Sequence, residues 1–548
     1  SADHAVGEFA REQGAAVPSR LVSSAKSWLA HGGVDRTAPI LPWGSDLGEQ
    51  ALSPVAVARA YLRHIRQAWD HTFGTETDAE GTPCVLAEQQ VVLTVPASFD
   101  EAARELTVRA AQEAGLEHLV LLEEPLAAFY DWLRRHEDQW EERLTPGDTV
   151  LVIDIGGGTT DFSLVQMESG GVLRRTAVGE HLLLGGDNID MALARRIESD
   201  WNTRLTPREW SLLCQQCRRA KELLLADESR GAVRVSVTGG GSSVVAGTRT
   251  HPVREEDLLS LLLEGFFPAV PADSPGPGRR GGMREMGLPY VSDPAVTRHL
   301  LAFVRRAAEV TGAPERAAPD RVLFNGGTLL PSLIRDRLAE TLGTWAGTAG
   351  STPQLDAQDL NLAVSRGASY YGLVRRGTGV RVKGGIARSD YLEVHAAPEE
   401  TDLVCVMPRE TEEGQVVELS GHRFRLAANE PVRFPLFTSS TRLHDRAGDV
   451  LRDREELSAL PPLQTVLTHG STHERRMLDV RVRSVLNEVG TLDIWCVTED
   501  EHHRYPLSFD LRLASDDTEE DGPEIIVPAE QRERAEALID EGFAGAGR

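Results

Sequence analysis

The sequence predicts an α/β domain with a partly parallel sheet, followed by an all-β domain. Three observations carry this expectation. Strand-like apolar runs alternate with helical stripes from Val91 to Leu342. A glycine-rich hairpin lies within that pattern. Beyond about Thr378 the helical period gives way to short alternating strands separated by turns.

In chain order, "VVLTV" from Val91 reads as a strand, and residues 102–114 as a helix with Ala103, Leu106, Ala110 and Ala114 on one stripe. "LVLL" at 119–122 is a second strand, and a helix starts at Pro125. The run "VLVIDIGGGTTDFSLV", 150–165, is two interior strands joined by glycines. Thr206, Pro207 and Glu209 form a capping box that opens a helix to about Ala226. Residues 270–289 are rich in Pro and Gly and read as a surface excursion. A helix at 295–310, the strand "RVLF" and a helix at 331–342 complete this part.

The strands "DLVCVM", "QVVEL", "RFRL", "VRFPLF", "LDVRVRSVL", "TLDIWCV" and "YPLSFDLRL" follow. In "LDVRVRSVL" the apolar Leu478, Val480 and Val482 alternate with Asp479, Arg481 and Arg483, as in a half-exposed antiparallel strand. A β-sandwich at 390–515 is the simplest packing for such strands. An acidic linker and an amphipathic tail helix are expected at 516–548.

Composition narrows the function. The net charge of −26 argues against a nucleic-acid surface, which needs clustered Lys and Arg. No stretch reaches the ~18 uninterrupted apolar residues of a membrane span, and the opening "SADHAVGEFAREQG" lacks the basic start and apolar centre of a secretory leader. The odd count of five cysteines fits reduced thiols and a cytoplasmic location. Cys214 and Cys217 form a C-x-x-C without further zinc ligands nearby, inside a helical pattern, and are expected to pack.

The hairpin needs more explanation than a turn. Two permissive residues suffice for a tight hairpin, yet Gly156, Gly157 and Gly158 stand here with Thr159 and Thr160, flanked by Asp154 and Asp161. Successive backbone N–H groups turned inward make an anion concavity, and an acid at a strand end can orient a hydrated metal ion. A tight turn with incidental acids is the alternative. Three other segments agree with phosphate binding. "LLEEPLAAF" places Glu124 at a helix start, "LLLGGDNID" places Gly185 and Gly186 before a helix, and "RVLFNGGTLLPSLI" runs from strand through Gly326 and Gly327 to helix. Together they point to ATP or ADP with Mg²⁺.

These segments resemble the DnaK-type chaperones, the 70-kDa heat-shock protein family, within the actin-like (ribonuclease H-like) ATPase fold. "IDIGGGTTDFSLV" is similar to the family's second phosphate loop, "EEPLAAF" to its E-P-T-A-A connection, "GGDNID" to its G-G-E-D-F-D and "NGGTLLP" to its adenosine segment. "VPSRLVSSAKSWL" resembles the segment with the catalytic lysine, which falls on Lys26. The resemblance implies a two-lobed ATPase domain at 1–385 that drives the β-sandwich, which would bind unfolded or extended polypeptide. It implies that Asp154 and Glu124 hold magnesium through waters, and that Lys26 positions the attacking water and the γ-phosphate. Gly156, Gly157, Gly158 and Thr159 would cradle phosphates, with Gly185, Gly186, Lys221, Gly326 and Gly327 completing the nucleotide site. J-domain and nucleotide-exchange co-chaperones are the implied partners, with no nucleic acid and no membrane.

The sequence also departs from that pattern. The first phosphate loop, D-L-G-T-T-x-S, has no counterpart, which predicts weak ATP binding, negligible turnover and an unpaired sheet edge. In the adenosine helix, "RRAKELLL" puts Arg218, Glu222 and Leu225 where Glu, Arg and Ser are usual. The interdomain linker is reduced to "RSDYLEV". Two rival functions keep the fold: a nucleotide-binding co-chaperone or exchange factor without significant ATPase activity, and a small-molecule kinase.

Overall fold

The computed structural model describes residues 4–509 apart from short stretches, the longest being 239–247, 311–317 and 468–476. Strands β1 (Val91–Val95) and β2 (Leu119–Glu123) pair in parallel and are joined through the helix Glu101–Glu113. Asp100 caps that helix by accepting from the Ala103 amide, and Arg36 grips the same carboxylate with two N–H groups at 2.9 and 2.8 Å. β1 pairs with no other described strand, and the outer edge of β2 receives the carbonyl of Val489 from the turn 487–490.

A second sheet has five strands. β3 (Thr149–Ile155), β4 (Thr160–Glu168) and β5 (Val172–Val178) form an antiparallel meander. The strand Arg321–Asn325 adds in parallel to β3, and the two-residue strand Val382–Lys383 in parallel to β5. β3 is buried along its whole length, which explains its unbroken apolar reading. Its Leu151, Ile153 and Ile155 pack with the helices Gly186–Asp200, Pro207–Leu224, Val296–Val310 and Ser332–Trp345. Val150 and Val152 face the other way, onto Phe129, Tyr130 and Trp132 of the helix Glu124–Arg135. The capping box at Thr206 and Glu209 forms as expected. Cys217 lies in the core and Cys214 packs at its margin, so both thiols are structural.

Ala232–Thr238 pairs with Thr248–Arg254, and Arg284–Glu285 with Leu288–Pro289, as two small antiparallel pairs, while the strands from Ser389 onward form one ten-stranded antiparallel sheet. The two separate sheets expected of a sandwich are joined, because Arg504–Phe509 pairs with Leu492–Thr498 on one side and Ser458–Val466 on the other. The sheet curls over a single core that includes Leu392, Val406, Phe434, Val480 and Ile494. "RSDYLEV" is not a connector: Ser389–Ala397 is a strand hydrogen-bonded on both sides, with Tyr391 and Leu392 buried. Its apolar residues are too short a run to stand out from a linker in sequence. Ser458–Val466 was equally hidden, because Pro461 and Pro462 argue against an interior strand. The pairing passes over both prolines at a bulge between Phe434 and Leu436. The 20-residue helix Pro54–Phe73, capped by Ser53, was also not assigned. The expected acidic linker and tail helix lie outside the described residues.

The helix Ala363–Arg375 crosses Glu124–Arg135 at Gly367, where an added Cβ would overlap the carbonyl oxygen of Ala127. Replacing an ordinary helix glycine by alanine gains roughly 0.5–1 kcal/mol. Gly367→Ala should instead lose about 1–3 kcal/mol, the cost of overpacking. Urea unfolding followed by circular dichroism would read this, and an unchanged or raised midpoint would contradict the close crossing.

Candidate functional site

Residues 150, 152 and 154 share one face of β3, so Asp154 ends the face that packs against the helix beginning at Glu124. Register sets its neighbours. Asp161 of β4 and Asn325 of the parallel strand both pair directly with Asp154. All three are buried, Asp154 at 6% exposure and Asn325 at 2%. Asn325 donates to Asp154, while its own Oδ1 has no hydrogen-bond partner among the described residues. Lys26 reaches in from the short helix Ala25–Ala30, and its Nζ donates to Glu124 at 2.5 and 2.8 Å.

Three carboxylates thus converge on one ammonium. Burial, reinforced by Glu124 and Asp161, pushes Asp154 up to about 7. Burial raises Asp161 to about 6, although the Ser98 hydrogen bond, at 3.1 Å from its amide, works the other way. Burial alone would lower the Lys26 pKa, but Glu124, Asp154 and Asp161 outweigh it and the pKa is raised, so the ammonium stays charged. Among the described residues no three carboxylate, His or Cys side chains are placed to ligate a metal directly. The donor set suits a hydrated divalent cation instead. It has excess negative charge, hydrogen-bonding oxygens and the orphaned Asn325 carbonyl, all of which ion-bound waters would satisfy.

The glycine loop lies beside this cluster. The Gly156 amide closes the hairpin by donating to Thr159 O at 2.9 Å. The amides of Gly157, Gly158 and Thr159 donate to no acceptor among the described residues, which leaves three consecutive N–H groups for an anion. The start of the helix Gly186–Asp200 behaves differently from expectation. Gly186 N and Asp187 N donate to the carbonyls of Gly156 and Gly157 at 3.1 and 2.7 Å, so these donors hold the loop. Thr328 Oγ1 adds a third such bond to Gly156 O at 2.8 Å. Gly185 is required sterically, since a Cβ there would lie 2.6 Å from Gly157 O. Gly326, at φ +96°, is required twice over: a Cβ would strike the Ile155 carbonyl and approach Asp154 Oδ1 to 2.7 Å. Gly327 faces open space.

Lys221 donates to Gly186 O at 2.8 Å and pairs with Asp190 at 2.7 Å, so it braces the same helix start. Arg218 pairs with Glu222 at 3.1 Å. From the first part of the chain, Ser24 Oγ donates to Asp187 Oδ2 at 3.1 Å. Lys26, Glu124, Asp154 and the glycine loop are therefore brought together. The predicted set left out Asp161, Asn325 and Asp187. Cross-strand pairing of Asp161 with Asp154 was the available signal, since both flank one hairpin; Asn325 and Asp187 had none.

Residues 47–240 match the family described as Hsp70 protein. A chaperone protein HscA homolog of Pseudomonas aeruginosa strain LESB58 is 34% identical over 238 residues, 41% of this chain and 35% of that protein. One from Acidithiobacillus ferrooxidans strain ATCC 53993 is 33% identical over 283 residues, 50% of this chain and 40% of that protein. The chaperone protein HscA of Citrobacter koseri is 28% identical over 371 residues, 67% of this chain. The chain spans half or less of the length of these curated relatives, 50% in the last case. No helix among the described residues is long and apolar enough to cross a membrane.

Asp154 provides a direct check on the crowding of charge. Its pKa is raised on folding, so the native state is favoured while Asp154 is protonated, and that contribution is lost as pH rises through about 7. In magnesium-free buffer, Asp154→Asn should stabilise the fold by on the order of 1 kcal/mol or more at pH 8 and by clearly less at pH 5. Thermal melts at the two pH values test this; equal effects at both would contradict it.

Proposed function

We propose that this chain, a relative of the 70-kDa heat-shock proteins, works as an ATP-dependent molecular chaperone whose ATPase part is actin-like and two-lobed. The observation that carries the reading is the set of three unengaged amides, Gly157, Gly158 and Thr159, beside a carboxylate cluster faced by a charged lysine. An anion cradle next to a cation-attracting cluster suits a nucleotide phosphate with its metal ion. A small-molecule kinase of the same superfold would share that nucleotide site; the similarity to HscA chaperones and the β-rich part that follows favour the chaperone reading.

In this reading residues 1–385 supply the second-loop half of a nucleotide site that turns ATP over once a first phosphate loop faces it, and the curled antiparallel sheet that follows takes extended polypeptide. Asp154 and Glu124, with Asp161 beside them, would hold Mg²⁺ through waters. The ion supplies charge neutralisation of the phosphates. Lys26, held by Glu124, presents its ammonium to the γ-phosphate and the attacking water. Gly326 keeps the backbone close to Asp154, and Lys221 fixes the helix start that supports the loop. J-domain and exchange-factor partners, and a cytoplasmic setting, belong to the same proposal. ATP can favour or disfavour peptide binding only by binding one arrangement of the two parts more tightly than the other.

Single-turnover ATP hydrolysis, with suppression of aggregation of an unfolded client, tests this function. Measured in a form of the protein that carries the first phosphate loop, Asp154→Asn should lower turnover by about 10²-fold or more, the scale of a lost electrostatic group at the reacting centre. Undiminished turnover would remove Asp154 from its role. Nucleotide choice is a separate matter. Arg218 offers donors but no acceptor and is engaged by Glu222, and Leu225 has no hydroxyl. Discrimination of ATP from GTP should therefore be weak, because base-edge hydrogen bonds supply most such selectivity. Competition against a fluorescent nucleotide would reveal it, and failure of GTP to displace the probe would count against it.

A further inference from the structure

The contact between the curled sheet and the β1–β2 layer is made largely of charged and hydrogen-bonding groups. Leu121 N donates to Val489 O at 2.8 Å, and Leu492 N to Glu101 Oε2 at 3.2 Å. Arg388 donates to Ser98 O and, beside the layer, Arg409 to Thr176 O of β5, each at 2.7 Å. On the first part's side of the contact, Arg104 pairs with Glu123 at 2.7 Å, and Arg175 with the same carboxylate. A cavity of about 120 Å³ lies there, lined in part by Glu101, Arg104, Glu123, Arg175 and Lys383.

Within this contact the carboxylate of Asp390 is 1% exposed, and neither oxygen has a hydrogen-bond partner among the described residues. Thr438, its hydroxyl neighbour, donates instead to Ser389 O at 3.3 Å. A buried acceptor left in this way is costly, and far more so when ionised. Glu101, also buried, has only the Leu492 amide and a distant ion pair with Arg104 at 3.8 Å. Undocking would return both carboxylates to water.

We propose that docking of the curled sheet onto the β1–β2 layer is proton-linked through Asp390 and Glu101, with acid favouring the docked arrangement. The groups facing Asp390 are Arg388 from its own segment, Asp100, Glu101 and Arg104 from the helix Glu101–Glu113 and its cap, Thr438 from Pro431–Ser439, and the Cys405 thiol from Glu400–Met407. Those facing Glu101 are Arg104, Asp390, Asp100 and Arg388, with the Leu492 amide. Burial is the largest influence on both acids. It raises Asp390 to about 6, with the charges of Arg388 and Arg104 acting against it. It raises Glu101 to about 7, against Arg104 and with Asp390 adding repulsion. Both values lie above those of the hydrated acids, so the docked state holds more protons. Its advantage is full at low pH and is lost as pH rises through 6 to 7.

Hydrogen exchange of the full chain, without nucleotide and corrected for intrinsic rates, reads the docking through peptides containing Leu121 and Leu492. From pH 5.5 to 8 their protection should fall about tenfold or more, since one linked proton changes the equilibrium tenfold per pH unit between the two pKa values. Peptides from the buried strand β3 should not follow. Asp390→Asn and Glu101→Gln should each flatten the dependence, and Asp390→Asn should raise protection at pH 8. The second variant keeps the test open if the first disturbs folding, which circular dichroism would show. A pH dependence unchanged in both variants, or protection that rises with pH, would overturn the proposal. The result does not depend on ATP turnover, so a failure here leaves the functional reading standing.

Discussion

The pairing register of three adjacent strands governs the site. Asp154, Asp161 and Asn325 stand side by side because β4 and Arg321–Asn325 align residue for residue on the two edges of β3. A slip of one position in either pairing would turn the partner side chain to the opposite face. Register also places Asp154 at the end of the face that receives the helix Glu124–Arg135, so Glu124 arrives as that helix begins. Burying these acids costs free energy that one ammonium offsets only in part, as the raised pKa values of Asp154 and Asp161 express. The arrangement is poised for added positive charge.

Backbone accounting explains the glycines. The start of Gly186–Asp200 spends two of its N–H groups on the loop carbonyls, and Lys221 takes the carbonyl of Gly186. Every such bond holds the loop in place, and the amides left over are those of Gly157, Gly158 and Thr159. Gly185 and Gly326 serve approach rather than flexibility, because a side-chain carbon at either would push the loop or the Asp154 strand away. Rigid support around unengaged donors is what an anion site requires.

The two parts of the chain meet through a different kind of surface. Arginines from both sides, including Arg104, Arg175, Arg388 and Arg409, line it, and the buried Asp390 carboxylate among them has no hydrogen-bond partner among the described residues. Apolar cores lie within each part and do not continue across the contact, with Val489 beside Leu121 as a local exception. Such a contact is cheap to open and sensitive to charge.

Local chemistry made much of this legible in sequence. The interior strands of the hairpin, the capping box at Thr206 and the helix after β1 all follow from short-range pattern, and so does the glycine loop from Gly156 to Thr159. Most antiparallel strands from Ser389 onward followed from alternation, except where prolines at a bulge concealed Ser458–Val466 and where Ser389–Ala397 read as a linker. What the sequence could not determine depends on partners remote along the chain. Pairing across 171 residues puts Asn325 beside Asp154, and a strand that bonds on both edges joins two expected sheets into one. Burial of Asp390 against a helix near residue 101 likewise exists only once the parts have met. Sequence periodicity encodes which face of an element is apolar; which element covers it, and which charges are stranded there, is decided by tertiary packing.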